Sequence, residues 1–132
     1  RLRAATRWVR EHPSLGGLKI GYFGASTGAA AALAAATDDP EIRVLISRGG
    51  RTDLAGTKVE NVRAATLLIV GGLDYPVILW NLETFERLSC EKRFSIIDGA
   101  SHLFEEPGKL EEVAVLAASW FKQHLHSTDD DE

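Results

Sequence analysis

Four short apolar segments that alternate with helix-forming segments constrain the fold of this chain more than any other feature. Aliphatic and aromatic residues, which favour β-strands, are concentrated at 18–23, 43–47, 65–70 and 93–97. Helical patterns occupy residues 2–11, 29–37, 77–89 and 109–124. This order predicts an α/β fold, in which a mostly parallel sheet of about four strands carries helices on both faces.

Size and composition agree with one domain over residues 1–132, because a chain with 45% hydrophobic and 26% charged residues can form a single buried core. The net charge of −4 gives no reason to expect nucleic acid or an anionic membrane as a partner. No apolar segment approaches the roughly 18 residues that cross a bilayer. Cys90, the single cysteine, is predicted to be an inert thiol, and the expected location is the cytoplasm.

The segment 24–28, Gly-Ala-Ser-Thr-Gly, is the first candidate for chemistry. It matches the pattern G-x-S-x-G and lies between a predicted strand and an Ala-rich helix, a context in which a sharp turn exposes the serine above a sheet. Ser26 is therefore a candidate nucleophile. The alternative interpretation is a glycine-rich turn that only packs a helix against a strand.

Candidate partners for Ser26 follow the next strands. A serine hydroxyl becomes an effective nucleophile when an imidazole accepts its proton and a carboxylate orients that imidazole. Asp74 follows the third predicted strand and His102 the fourth, so both should reach the same edge of the sheet as Ser26. Asp53 and Asp98 are rival carboxylates, although Asp98 shares a loop with the histidine and Asp53 lies well into its own loop.

The other histidines and the cysteine do not suggest a metal centre. His12, His124 and His126 lie at the ends of predicted helices, where a structural role accounts for them. The sequence has neither H-E-x-x-H nor clustered Cys and His at metal-binding spacing. We therefore expect neither a metal nor a cofactor.

Three segments together resemble the nucleophile, acid and histidine segments of the α/β-hydrolase superfamily, namely residues 24–28, 67–74 and 97–104. Within it the chain is most similar to dienelactone hydrolase-like proteins, including those fused to phosphoribosyltransferase domains, and segments 47–56 and 102–108 add to the likeness. The resemblance implies a three-layer sandwich and a triad of Ser26, His102 and Asp74, with the Thr27 N–H as one oxyanion donor. Dienelactone hydrolases have cysteine at the position of Ser26, which argues against dienelactone itself as the substrate. The first functional hypothesis is a serine hydrolase that acts on a small carboxylic ester or lactone.

The resemblance also implies that strands are missing from the front of the domain. Family members have several strands, and a loop with the second oxyanion donor, before the nucleophile strand, whereas this chain has one helix there. The expected domain is therefore truncated, and its first strand becomes a sheet edge with unpaired backbone groups. We expect a homodimer in which the edges near Leu18 and Phe23 pair or the N-terminal helices cover each other. Leu79 and Trp80 are candidate interface residues, or they pack under a neighbouring loop.

Residues around the triad suggest how a substrate would be held. Arg48 is a candidate ligand for an anionic group, although a local ion pair with Asp53 also explains it and its neighbour Arg51. Tyr75 and Leu103 flank the triad candidates and could line a pocket or simply pack. The second functional hypothesis is a catalytically weak or inactive fold that serves in binding or association.

Overall fold

The computed structural model describes residues 1–125 and contains one four-stranded sheet. Its strands lie side by side in chain order, and every neighbouring pair is parallel. Because all strands run in one direction, their carboxyl ends meet at one edge of the sheet. The strands are β1 (Ile20–Ala25), β2 (Ile42–Arg48), β3 (Ala65–Gly71) and β4 (Lys92–Ile97).

Helices cover both faces of this sheet, as expected for the three-layer α/β sandwich. The first face packs against α1 (Leu2–Glu11), α2 (Thr27–Thr37) and α3 (Tyr75–Arg87), and the second against α4 (Lys109–Leu125). Short 3-10 helices at Thr52–Leu54 and Val59–Asn61 lie between β2 and β3. None of the described helices combines the length and the apolar character that a bilayer crossing requires.

Alternation along the central strands builds a core on each side of the sheet. Leu45 and Leu68 point toward α2, whose buried alanines allow the helix to approach the sheet closely. Ile46 and Ile69 point the other way, toward Trp120 of α4. Burying a large aliphatic side chain contributes about 1.5–3 kcal/mol, so these two layers supply most of the stabilisation that holds the carboxyl edge in place.

Most element boundaries differ from the predicted ones by one or two residues, and one helix face differs as well. The first strand starts and ends two residues later than the predicted 18–23, and it thereby runs directly into the turn at Ser26. The sequence spacing predicts an inner face of Ile78, Leu82, Phe85 and Leu88 for the third helix. That prediction is wrong in part, because Leu82 is 44% exposed while Asn81 is completely buried. The reason is that the Asn81 amide makes hydrogen bonds inside the molecule, which turns its side of the helix inward.

Candidate active site

Ser26 occupies a sharp turn between β1 and α2, with φ 50° and ψ −122°. This conformation is rare for a residue other than glycine and stores backbone strain. Gly24 makes the turn possible, because a Cβ there would lie 2.6 Å from the Gly28 carbonyl oxygen and 2.7 Å from the Ala29 Cα. A Cβ on Gly28 would meet open space, so packing requires only the first glycine of the motif.

The structure brings Ser26, His102 and Asp74 into a continuous hydrogen-bonded chain. Ser26 Oγ lies 2.9 Å from His102 Nε2, and His102 Nδ1 lies 2.6 Å from Asp74 Oδ2. The Asp74 side chain is 12% exposed and the imidazole 39%. A carboxylate only accepts hydrogen bonds, so it selects the imidazole with a proton on Nδ1 and leaves the Nε2 lone pair facing the serine hydroxyl.

The loops after β3 and β4 place Asp74 and His102 by running against each other. A Cβ on Gly71 would lie 2.4 Å from the Ala100 carbonyl oxygen, so only glycine allows this approach. The Leu73 N–H donates to the same Ala100 oxygen at 3.0 Å. The carboxylate loop is therefore attached directly to the histidine loop.

A side chain downstream of His102 secures the histidine loop. Glu106 Oε1 accepts a hydrogen bond from the Ser101 N–H at 3.0 Å, and this donor lowers the pKa of the Glu106 carboxyl. Between them, Phe104 has φ 57° and is buried, which anchors the loop in the core below. The loop around His102 is thus fixed by packing as well as by hydrogen bonds.

The loop after β2 supports both the serine and the histidine. The Ser26 N–H donates to the Arg48 carbonyl oxygen at 3.3 Å, and the Arg51 N–H donates to the Ser26 carbonyl oxygen at 3.0 Å. Gly49 has φ 55°, and a Cβ there would lie 3.3 Å from His102 Nδ1. The backbone of this loop therefore lies directly behind the imidazole while it holds the turn of Ser26 from both sides.

Thr27 begins α2 immediately after the serine. The first N–H groups of a helix have no acceptor within the helix, and the helix dipole favours negative charge at this end. The Thr27 N–H therefore remains a candidate oxyanion donor, as the sequence predicts.

Neither rival carboxylate contacts the histidine. Asp53 accepts two hydrogen bonds from Arg51, Nε to Oδ1 at 3.0 Å and Nη2 to Oδ2 at 2.8 Å, and these bonds lower the pKa of the Asp53 carboxyl. The Arg51 guanidinium also lies 4.4 Å from the ring centroid of Trp80. Asp98 is exposed. Arg51 therefore forms the local ion pair with Asp53 that is the alternative to a role in substrate binding. Trp80 packs against the same loop.

The three predicted substrate contacts lie near the triad with different surroundings. Arg48 ends β2, and its guanidinium lies 5.6 Å from the Phe104 ring centroid without an ion pair to any residue in 1–125. Tyr75 follows Asp74 and is 65% exposed. Leu103 follows His102 and is 54% exposed. Their roles in binding stay predictions.

The remaining candidates have local structural partners. His12 Nδ1 accepts a hydrogen bond from the Ser14 N–H at 3.1 Å, and the His124 ring lies 4.1 Å from that of Trp120. His126 lies outside the described residues. Burial raises the pKa of the Cys90 thiol, which disfavours the reactive thiolate. Within residues 1–125, no three His, Cys, Asp or Glu side chains are grouped as metal ligands would be.

Sequence reasoning missed Asn81 and Gly49. Asn81 is fully buried and hydrogen-bonded to the loop that follows β2, but a single polar residue on an apolar helix face carries no motif. Gly49 belongs to a Gly-Gly pair that indicates a turn, and nothing in the local sequence reveals that the imidazole of His102 lies against it. Both contacts depend on tertiary structure.

The parallel sheet with helices on both faces matches the fold of hydrolases of known structure. No protein-family model matches the chain. Among solved structures, dienelactone hydrolase from Anabaena variabilis is 53% identical, with a TM-score of 0.92 over 95% of this chain and 58% of that one. The expected resemblance to α/β hydrolases, and among them to dienelactone hydrolase-like proteins, is confirmed.

More distant structures share the fold. The esterase domain of a Rhodothermus marinus protein is 22% identical with a TM-score of 0.76, covering 94% of this chain and 67% of its own. Monoacylglycerol lipase from Paleococcus ferrophilus is 18% identical with a TM-score of 0.72, over 90% of this chain and 73% of the lipase. At these identities the likeness concerns the fold alone.

Two curated relatives are longer than this chain, and the chain matches only a part of each. Two Mycobacterium tuberculosis proteins, provisionally named phosphoribosyl transferases, are each 49% identical to the chain over 126 residues. The match covers 95% of this chain and 28% of theirs. Their name agrees with the expected likeness to hydrolase domains fused to phosphoribosyltransferases.

Proposed function

We propose that the chain is a serine hydrolase that cleaves a small carboxylic ester or lactone. The observation that carries the proposal is the hydrogen-bonded chain from Ser26 Oγ through the His102 imidazole to Asp74, mounted on a strained turn. The similarity to hydrolases of the same fold supports it. Backbone strain at the half-buried Ser26, whose hydroxyl lies within hydrogen-bond reach of a histidine, is typical of a functional position.

In the proposed reaction, Ser26 Oγ forms a bond to the substrate carbonyl carbon while its proton passes to His102 Nε2. Asp74 stabilises the resulting imidazolium through its hydrogen bond to Nδ1. The Thr27 N–H donates to the developing oxyanion. The imidazolium then protonates the departing alkoxide, which leaves an acyl group on Ser26 and a neutral imidazole.

Water completes the cycle by the same route in reverse. His102 Nε2 takes a proton from water as the water oxygen attacks the acyl carbon, and Ser26 recovers its proton when the carboxylic acid leaves. For a lactone, the leaving alkoxide stays attached to the acyl group, so the product is a single hydroxy acid. Arg48 would face an anionic part of the substrate, and Tyr75 and Leu103 would contact apolar parts.

A fluorophosphonate probe and p-nitrophenyl acetate test this proposal directly. The parent chain should be labelled and should release p-nitrophenol, while Ser26→Ala should do neither. Cys90→Ala is the matched control, because the half-buried thiol lies outside the triad. Labelling that persists in Ser26→Ala, or a parent that is neither labelled nor active, would reject the proposal.

Association is the second candidate, and the outer edge of β1 favours it. Among the described strands β1 pairs only with β2, so its other side presents unpaired backbone groups. Leu18 is 61% exposed and Phe23 49% exposed close to this edge. We propose a homodimer that covers it. Sedimentation should show a dimer at micromolar concentration and a monomer for Phe23→Lys, and a monomeric parent would contradict the idea.

We propose a cytoplasmic location for the chain. The support is the use of cysteine, because the one cysteine, Cys90, has no intramolecular partner for a disulfide. Fractionation of the source cells with an antibody against the chain would test this, and recovery outside the cytoplasm would contradict it.

A further inference from the structure

Asn81 is a buried amide that ties α3 to the loop behind the triad. Its side chain is completely buried, and Nδ2 donates to the Gly50 carbonyl oxygen at 2.9 Å and to the Val77 carbonyl oxygen at 2.8 Å. Both neighbours are acceptors, so the amide nitrogen, and not the oxygen, must face them. The pair of contacts therefore fixes the orientation of the side chain.

The same amide is costly for stability. Asn81 Oδ1 is buried and has no hydrogen-bond donor among the described residues. A buried acceptor without a partner destabilises the folded state, whereas an apolar side chain of similar size would avoid that cost. A polar group that is unfavourable in this way needs a reason other than packing.

That reason is the position of Gly50 within the loop. Gly49, one residue before it, lies against the His102 imidazole, and Arg51, one residue after it, donates its N–H to the Ser26 carbonyl oxygen. The Gly50 carbonyl and the Arg51 N–H belong to one rigid peptide plane, so a shift of that carbonyl moves the N–H that donates to Ser26. Gly49 is the adjacent residue, one Cα away from the same carbonyl. The hydrogen bond from Asn81 thus holds in place the loop that contacts His102 and is hydrogen-bonded to Ser26.

A second tie keeps α3 and the loop together. Thr52 is buried, and its Oγ1 donates to the Trp80 carbonyl oxygen at 3.1 Å. Trp80 precedes Asn81 on the helix, so the two bonds connect consecutive residues of α3 to the same short loop. With the helix also beginning directly after Asp74, one rigid element positions the acid and supports the loop.

We propose that Asn81 is a positioning residue for the triad, which acts through the Gly49–Thr52 loop and touches neither substrate nor reacting atoms. The proposal rests on the proposed serine hydrolase function. Losing the bond from Nδ2 to Gly50 should loosen the distance between Ser26 Oγ and His102 Nε2. Displacements of about 1 Å at a reacting centre can cost about a hundredfold in rate.

Asn81→Leu tests this with a side chain of similar size and no donor. Thr84→Val is the matched control, because Thr84 is buried one turn further along the same helix and lies outside the site. The full chain, both variants and Ser26→Ala are compared for melting temperature, fluorophosphonate labelling rate, and kcat and KM with p-nitrophenyl acetate. All kinetics are measured well below the lowest melting temperature.

Asn81→Leu should lower the labelling rate and kcat by about tenfold to a hundredfold while KM stays within about twofold, and Thr84→Val should leave all three near the parent. A folded Asn81→Leu variant with parental kcat would overturn the proposal. If that variant does not fold, Asn81→Ser replaces it. Parental kcat in Asn81→Ser would overturn the proposal in the same way. A parent that is inert and unlabelled would instead overturn the proposed function, and this inference with it.

Discussion

The two ends of the sheet are built differently. At the carboxyl end, both residues other than glycine that have positive φ within residues 1–125, Ser26 and Phe104, lie in loops that follow strands. At the amino end, the described loops 12–19, 38–41, 62–64 and 88–91 contain no residue with positive φ. Long side chains stabilise that end by donating hydrogen bonds to backbone carbonyl groups. Lys92 Nζ, for example, donates to the carbonyl oxygen of Phe85 at 2.7 Å.

The strained backbone therefore lies at the carboxyl end of the sheet, whereas the amino end contains stabilising ion pairs and unstrained loops. For residues other than glycine such conformations cost on the order of 1–3 kcal/mol each, and both of those in residues 1–125, Ser26 and Phe104, lie beside the triad. The amino end uses relaxed loops and ion pairs that could be replaced without moving Ser26. Substitutions at the carboxyl end should therefore change activity strongly, while those at the amino end should change only the free energy of unfolding.

The largest effect should come from Asp74→Asn. An amide can donate to His102 Nδ1, which would place the imidazole proton on Nε2 and remove the acceptor that Ser26 needs. We expect kcat for p-nitrophenyl acetate to fall about a thousandfold to ten-thousandfold with the fold intact by circular dichroism. Asp98→Asn, on the exposed part of the histidine loop, is the matched control and should stay within about twofold. Equal losses in both variants would remove the distinction between the acid and its rival.

Gly24→Ala should have the next largest effect, this time on folding. The added methyl would meet the Gly28 carbonyl oxygen at 2.6 Å and backbone atoms of Ala29 at 2.7 Å, and none of these atoms can rotate away. Overpacking of this kind costs about 1–3 kcal/mol, measured as the free energy of unfolding in urea. Unchanged stability would mean that the turn at Ser26 is looser than its geometry indicates.

The sequence predicted most of this carboxyl end because its signals are local. Alternating strands and helices established the parallel sheet, and a parallel sheet brings Ser26, Asp74 and His102 to one edge whatever the details of the loops. The strand-turn-helix setting of Ser26 further predicted which serine would lie there. These conclusions needed only the order of segments along the chain.

What could not be predicted depends on contacts between distant segments. Asn81 was hidden among apolar residues because the period of α3 favoured Leu82 as the buried position, and only the carbonyl oxygen of Gly50 explains the difference. Likewise, the motif treats Gly24 and Gly28 alike, although the structure shows that only Gly24 is crowded. Local patterns report backbone preference, whereas these features follow from how two segments meet.

At the amino end, Asp39→Asn should lower stability in a pH-dependent way. Both carboxylate oxygens of Asp39 accept hydrogen bonds from Arg10, and this pairing lowers the pKa of the Asp39 carboxyl. A lowered pKa in the folded state stabilises the protein while the carboxyl is ionised, above its ordinary pKa of about 4. The contribution is lost as the pH falls further and folded Asp39 takes up a proton.

Urea unfolding at pH 7 should therefore show a loss of roughly 0.5–1 kcal/mol for Asp39→Asn, and the difference from the parent should shrink as the pH falls from about 4 through the lowered pKa of folded Asp39. Asp38→Asn is the control, because the ion pair of Asp38 with Arg3 is exposed on both sides and should matter little. Esterase activity should follow the parent in both variants. A drop in kcat without unfolding would contradict the separation of the two ends.

The smallest expected effect is a gain in stability from Gly28→Ala, which sharpens the comparison from within the carboxyl end. Gly28 lies in the first turn of α2, and a Cβ there would meet no atom within 4 Å. Alanine restricts the unfolded chain more than glycine does, and it favours helix, so the free energy of unfolding should rise by about 0.5 kcal/mol. Urea denaturation beside Gly24→Ala would then give opposite signs for two glycines of one motif. The same sign for both would mean that strain spreads along the whole turn and is not confined to the residues before Ser26.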